Sequence, residues 1–255
     1  MRIIISPAKK MNVDLDGLEF RGLPQFLPQT QRLLDQLRGM SYEELKRLWK
    51  CSDQIAGLNV RRLAEMDLRR NLTPAILSYE GIQYRYMAPG VFTREELAYI
   101  EEHLRILSGF YGVLRPFDGV TPYRLEMQAK LRLDGAEDLY AYWGDRLGRS
   151  LAAESDTVVN LASREYSLSV IPHLPRRVRL LTCVFGERQG GKIVEKGVQC
   201  KMARGEMVRF LAENRVEDLS QMKTFDRLGY RFAPEESGRN TYVFIKRGKA
   251  QTMSV

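Results

Sequence analysis

The chain has 255 residues and a formal charge of +8, from 40 Lys and Arg against 32 Asp and Glu. Apolar residues make up 44% and charged residues 28%, the make-up of an ordinary folded protein, which excludes wholesale disorder and collagen-like repeats. No window approaches the roughly 18 consecutive apolar residues of a membrane span, and Met1-Arg2-Ile3-Ile4-Ile5 meets Ser6-Pro7 too early for a signal sequence. A cytoplasmic protein without membrane partners is expected.

In chain order, Arg2-Ile3-Ile4-Ile5 reads as a short buried strand and the stretch to Pro28 as irregular. Gln31–Leu37 has helical spacing. Ser41 with Glu44, and Thr93 with Glu96, are capping boxes, in which the hydroxyl and carboxylate satisfy each other's backbone N–H groups. The second opens an amphipathic helix through Leu97, Ile100, Leu104 and Leu107 that stops at Ser108-Gly109. Phe110–Met127, with two prolines and two glycines, cannot be one regular helix. Residues 138–151 read as helix, 157–161 as a buried strand and 178–185 as a strand. Gly190-Gly191 makes a turn, 201–211 a helix and 241–246 the last strand, with 251–255 frayed. The result is an α+β or irregular α/β arrangement. It forms a single compact domain over residues 1–255, with a helical lobe near 30–110.

Five segments have the residue types that bind or react. Ser6-Pro7-Ala8-Lys9-Lys10 leaves a strand, where Lys9 would hold a phosphate or steady a developing anion. Leu107–Asp118 resembles a helix-hairpin-helix turn. Amides near Gly109 and Gly112 would then face phosphate, with Arg105 and Arg115 flanking, although the same pattern describes many structural turns. In Pro122–Met127, Tyr123 would stack on a base while Arg124 meets phosphate or pairs with Glu126. Asn160, Ser163, Glu165 and Tyr166 follow a strand, where ligand contacts in α/β layouts concentrate. Finally, residues 176–209 carry nine Lys or Arg against three Glu, and Lys201 and Arg204 fall on one helix face.

Other chemistries lack support. Cys51, Cys183 and Cys200 form no Cys-x-x-Cys pair, so a disulfide scaffold or disulfide-linked partner is not expected. His103 and His173 cannot build a three-histidine zinc site, so no metal is assigned, with only a mixed Cys/His/carboxylate site left open. Walker, dinucleotide and Gly-x-Ser-x-Gly motifs are absent, so no cofactor is assigned and no enzyme class is positively indicated.

Taken together, these segments resemble the bacterial YaaA peroxide stress protein family over essentially the whole chain. The markers are Ser6-Pro7-Ala8-Lys9, Ala56-Gly57-Leu58-Asn59, Leu107–Pro116, Pro122–Met127, Trp143-Gly144-Asp145, Asn160–Tyr166, Lys201 with Ala203-Arg204-Gly205, and Gly229-Tyr230. The resemblance implies a cytoplasmic protein of the hydrogen peroxide response that limits damage from free intracellular iron. It further implies a mixed sheet and a DNA-binding basic cleft beside a helix-hairpin-helix-like element. The DNA expected is double-stranded or structured, its contacting candidates are Lys9, Arg105, Gly109, Gly112, Arg115, Arg124, Lys201 and Arg204, and the protein is expected to be monomeric. The alternative is an enzyme acting on damaged DNA or a nucleotide. Its pocket would hold Ser6, Asn160, Ser163, Lys201 and Arg204, with Lys9 and Glu165 as the catalytic candidates.

Overall fold

The computed structural model describes residues 1–246; the expectation of a frayed 251–255 lies outside the described residues. One mixed sheet organises the chain. Its strands are β1 (Arg2–Ile5), β2 (Leu104–Ser108), β3 (Gly112–Leu114), β4 (Thr157–Asn160), β5 (Arg179–Gln189), β6 (Lys192–Val194), β7 (Tyr230–Phe232) and β8 (Thr241–Lys246). The spatial order is β7-β8-β5-β4-β1-β2-β3, with β6 turned back on β5 through Gly190-Gly191. β8, β5, β4, β1 and β2 run parallel, and β3, β6 and β7 are antiparallel additions.

The apolar run Ile3-Ile4-Ile5 sits at the centre of this order, at most 1% exposed. A strand covered on both faces has no solvent side on which to place polar residues, hence the unbroken isoleucines. Ile3 pairs with Leu104 on one side and Val159 on the other. Chain order therefore reverses direction across β1, which makes its carboxyl end a topological switch point, where a crevice opens between outgoing connections.

Helices cover the sheet. Both capping boxes form, Ser41 on Tyr42–Trp49 and Thr93 on Arg94–His103. The Gly197–Glu213 helix packs on the Ile82–Met87 helix at Gly205. A Cβ there would lie 2.2 Å from the Gln83 carbonyl oxygen, so only glycine permits this approach. Cys183 and Cys200 are packed thiols, pushed up by burial to about 12 and about 11. No helix among the described residues is long and apolar enough to cross a membrane.

The helix-hairpin-helix expectation is overturned. The helix ends at His103, and Leu104–Ser108 is a strand with all five residues buried. Leu104 and Leu107 fit helical spacing by coincidence. Their segment is apolar because β2 is covered on both faces, not because it continues an amphipathic stripe. Residues 104–114 form a β-hairpin, in which Ser108 Oγ accepts from the Phe110 and Tyr111 N–H groups at 3.2 and 2.9 Å. These amides are spent inside the turn and present nothing to phosphate.

Candidate functional site

The cavity opens at the carboxyl ends of β1 and β4. Just past β1, Ser6 Oγ accepts the Ser163 N–H at 2.8 Å, and its own hydroxyl donates to Ser163 Oγ at 3.2 Å. Tyr84 donates from its hydroxyl to the Ser6 carbonyl at 3.1 Å. These bonds tie the β1 exit, the residues after β4 and the Ile82–Met87 helix around a cavity of about 380 Å³. That volume lies within the range of small-ligand sites.

Ser6, Lys9, Ser163, Glu165, Lys201 and Arg204 all line it, so segments nearly two hundred residues apart meet at one cavity. Its charge is mixed. Lys9 Nζ lies 2.8 Å from Glu126 Oε2, and Lys10 Nζ 2.7 Å from Glu80 Oε2. Arg204 reaches Glu195 only at 3.6 Å, and Lys201 is exposed. Arg124 stands next door, 3.6 Å from Glu126, and lines two smaller neighbouring recesses with Lys9.

Three buried polar nitrogens in this neighbourhood have no hydrogen-bond partner: Arg124 Nε, Arg204 Nε and Gln83 Nε2. A buried donor left unmade costs about 1–3 kcal/mol, so each of the three favours a polar partner.

Glu165 is half-buried, and burial raises its carboxyl above the usual range, with the nearby Glu126 charge adding to the rise. Lys9 and the Gln128 and Met127 N–H groups pull the other way without cancelling it. Its backbone is fixed by Tyr140, whose hydroxyl donates to the Glu165 carbonyl at 2.8 Å. The arrangement can bind an anionic group on the Lys201–Arg204 side and move a proton at Glu165.

The remaining candidates lie elsewhere. Asn160 shapes the turn behind the cavity, with Oδ1 accepting the Ala162 N–H at 3.0 Å, and does not line it. Arg105 is 4% exposed at the amino end of β2, the opposite edge of the sheet, where its guanidinium bonds Glu154. Burial opposes ionisation of Glu154, but the Arg105 and Arg2 hydrogen bonds outweigh it and hold the carboxyl low. Arg115 is exposed beside Asp118, and its N–H donates to Asp118 Oδ2 at 2.8 Å. Gly109 and Gly112 are buried. Gly109 admits the Leu125 carbonyl, 2.7 Å from where a Cβ would be, and Gly112 has φ +78°. Tyr123 is buried too, its hydroxyl 2.7 Å from Ser108 Oγ and 2.8 Å from the Tyr79 hydroxyl, so it is no base platform. Gln83 was not legible as a site residue, because it reaches the cavity only through the close approach at Gly205.

A family model described as peroxide stress protein YaaA matches residues 1–236. The chain belongs to this family. It is similar to a UPF0246 protein of Lachnoclostridium phytofermentans, 54% identical over 246 residues and covering 96% of both chains. A UPF0246 protein of Desulfitobacterium hafniense is also 54% identical, over 96% of this chain and 98% of its own. One of Pediococcus pentosaceus is 52% identical over the same shares. Membership supports a general stress-related role, with most of the chain, cavity included, inside the matched region.

Proposed function

We propose that this peroxide stress family member binds DNA through phosphate contacts centred on the cavity, which takes one nucleotide of the strand. The observation that carries the proposal is the convergence of Lys9, Lys201 and Arg204 on one cavity, with Arg124 beside it and the Arg124 and Arg204 Nε donors unpartnered. In this arrangement Lys201 and Arg204 hold the phosphate and Lys9 and Arg124 guide the neighbouring backbone. Such contacts position without reading sequence. The role in limiting damage from free intracellular iron is carried over from the family resemblance.

One observation favours a second reading, chemistry on that nucleotide. Glu165 has a raised carboxyl beside the Lys9 charge inside a lined cavity, the setting in which acid–base groups are tuned. Hydrogen exchange with and without a short DNA tests the binding proposal. Slowed exchange at residues 6–10, 163–167 and 197–204 supports it. Slowing confined to other segments rejects it.

A further inference from the structure

At the opposite edge of the sheet from the cavity, the amino ends of β5 and β8 enclose a second, shallower cavity of about 370 Å³. Arg179, Lys223 and Arg239 line it, and no carboxylate does. Among the described residues, none of the three forms an ion pair, whereas Lys9 and Lys10 at the first cavity each hold a glutamate. Asp218, outside the lining, is near enough to feel Arg179 and Lys223, and the Ser220 N–H at 2.6 Å keeps its carboxylate ionised.

Two of the three cations, Arg179 and Lys223, are held in place before any ligand arrives. Arg179 Nη2 donates to the Arg239 carbonyl at 3.0 Å, which fixes the guanidinium against the following loop, while its buried Nε has no partner. That loop is itself pinned, because the Gly238 N–H bonds the Thr241 carbonyl at 2.8 Å and the Thr182 N–H the Asn240 carbonyl at 2.9 Å. Lys223 Nζ stands 5.5 and 5.4 Å from the ring centroids of Phe232 and Tyr242, where the ring faces attract it. Three cations lining one cavity with no carboxylate among the lining residues raise the local potential and attract an anion.

We propose that Arg179, Lys223 and Arg239 form a second phosphate site, independent of the nucleotide cavity. A phosphate oxygen meets the Arg179 guanidinium, and Lys223 and Arg239 close on the others, the fork and point-charge geometry that favours phosphate. The phosphate belongs either to a nucleic-acid backbone or to a free phosphate ion, and the two sources are separable.

The test is hydrogen exchange of residues 218–242 in the full chain, with inorganic phosphate in one arm and a short duplex DNA in the other. The wild type is compared with Lys223→Ala/Arg239→Ala and with Lys201→Ala/Arg204→Ala. The proposal expects slowing by at least one probe in the wild type, lost in the first double variant and retained in the second with the probe that slows the wild type. Slowing by phosphate identifies a free-ion ligand, and slowing by DNA alone identifies the backbone. No slowing with either probe, or slowing unchanged in Lys223→Ala/Arg239→Ala, overturns it. Loss of DNA protection at residues 197–204 alone counts against the nucleotide cavity and leaves this site standing.

Discussion

Gly205 and Gln83 touch through backbone alone, and a methyl group on Gly205 would lie 2.2 Å from the Gln83 oxygen. This contact sets the spacing between the helix bearing Lys201 and Arg204 and the segment supplying Gln83 and Tyr84. The cavity depends on it. Gly205→Ala forces the helices apart, because the obstruction is backbone and cannot rotate away. The expected loss is roughly 1–3 kcal/mol of stability, the usual penalty of overpacking, together with weaker DNA binding. Thermal unfolding and DNA anisotropy on one preparation measure both.

The raised carboxyl of Glu165 gives the binding a direction in pH. An ionised Glu165 repels a phosphate in the cavity, and a protonated one does not. DNA affinity should therefore rise as pH falls through the Glu165 titration. Glu165→Gln should flatten that dependence and match the low-pH affinity of the wild type at neutral pH. Anisotropy titrations between pH 5 and 8 at fixed salt measure this.

Arg105 separates structure from binding. Its guanidinium and the Glu154 carboxylate form a pair with side chains 5% and 20% exposed. Arg2 still bonds Glu154 at 2.8 Å once Arg105 is gone, so Arg105→Ala should cost roughly 1.5–3 kcal/mol, the worth of a hydrogen bond between charged groups, and not the full penalty of an uncompensated buried charge. DNA affinity of the folded fraction should not change. Denaturant unfolding and DNA binding below the unfolding midpoint test the two halves.

Asp118 carries a stored pH dependence of the opposite kind from a salt-bridged acid. Burial raises it to about 6, despite the hydrogen bond from the Arg115 N–H and the nearby Arg115 and Arg105 charges. The folded state binds this proton more tightly than the unfolded state does. Its contribution is thus most favourable at low pH and is lost as pH rises from about 4 to about 6. Asp118→Asn should stabilise the protein by about 1–3 kcal/mol at pH 8 relative to its effect at pH 4. Unfolding curves at the two pH values check the sign.

The sequence carried the local signals well. Ser41/Glu44 and Thr93/Glu96 start helices where their side chains can satisfy free amides, and Ile3–Ile5 and Val158–Val159 are apolar enough to declare buried strands. The cavity members Ser6, Lys9, Ser163 and Glu165 were legible as short polar motifs beside strand ends, and Lys201 and Arg204 as cations on one helix face. What misled was periodicity: Leu97, Ile100, Leu104 and Leu107 keep helical spacing across a helix–strand junction at His103. Arg105 and Arg115 lie one step beyond the paired Ile106 and Leu114 in the hairpin and flank Asp118 instead of a nucleic acid. The glycines of that hairpin serve close packing, against Leu125 for Gly109 and against Phe26, Trp143 and Leu147 for Gly112. No linear pattern distinguishes that use from phosphate binding.

The most direct measurement of the central claim is the salt dependence of DNA affinity for the wild type and for Lys201→Ala/Arg204→Ala. Each neutralised phosphate contributes about 0.9 to the slope of log affinity against log salt, and Lys201 and Arg204 share one phosphate, so the double variant should lose about 0.9 from that slope. A hydrogen bond to a charged group is worth about 1.5–3 kcal/mol, so each lost contact should also weaken low-salt binding at least tenfold. An unchanged slope and affinity in a folded double variant would contradict a phosphate grip centred on the cavity.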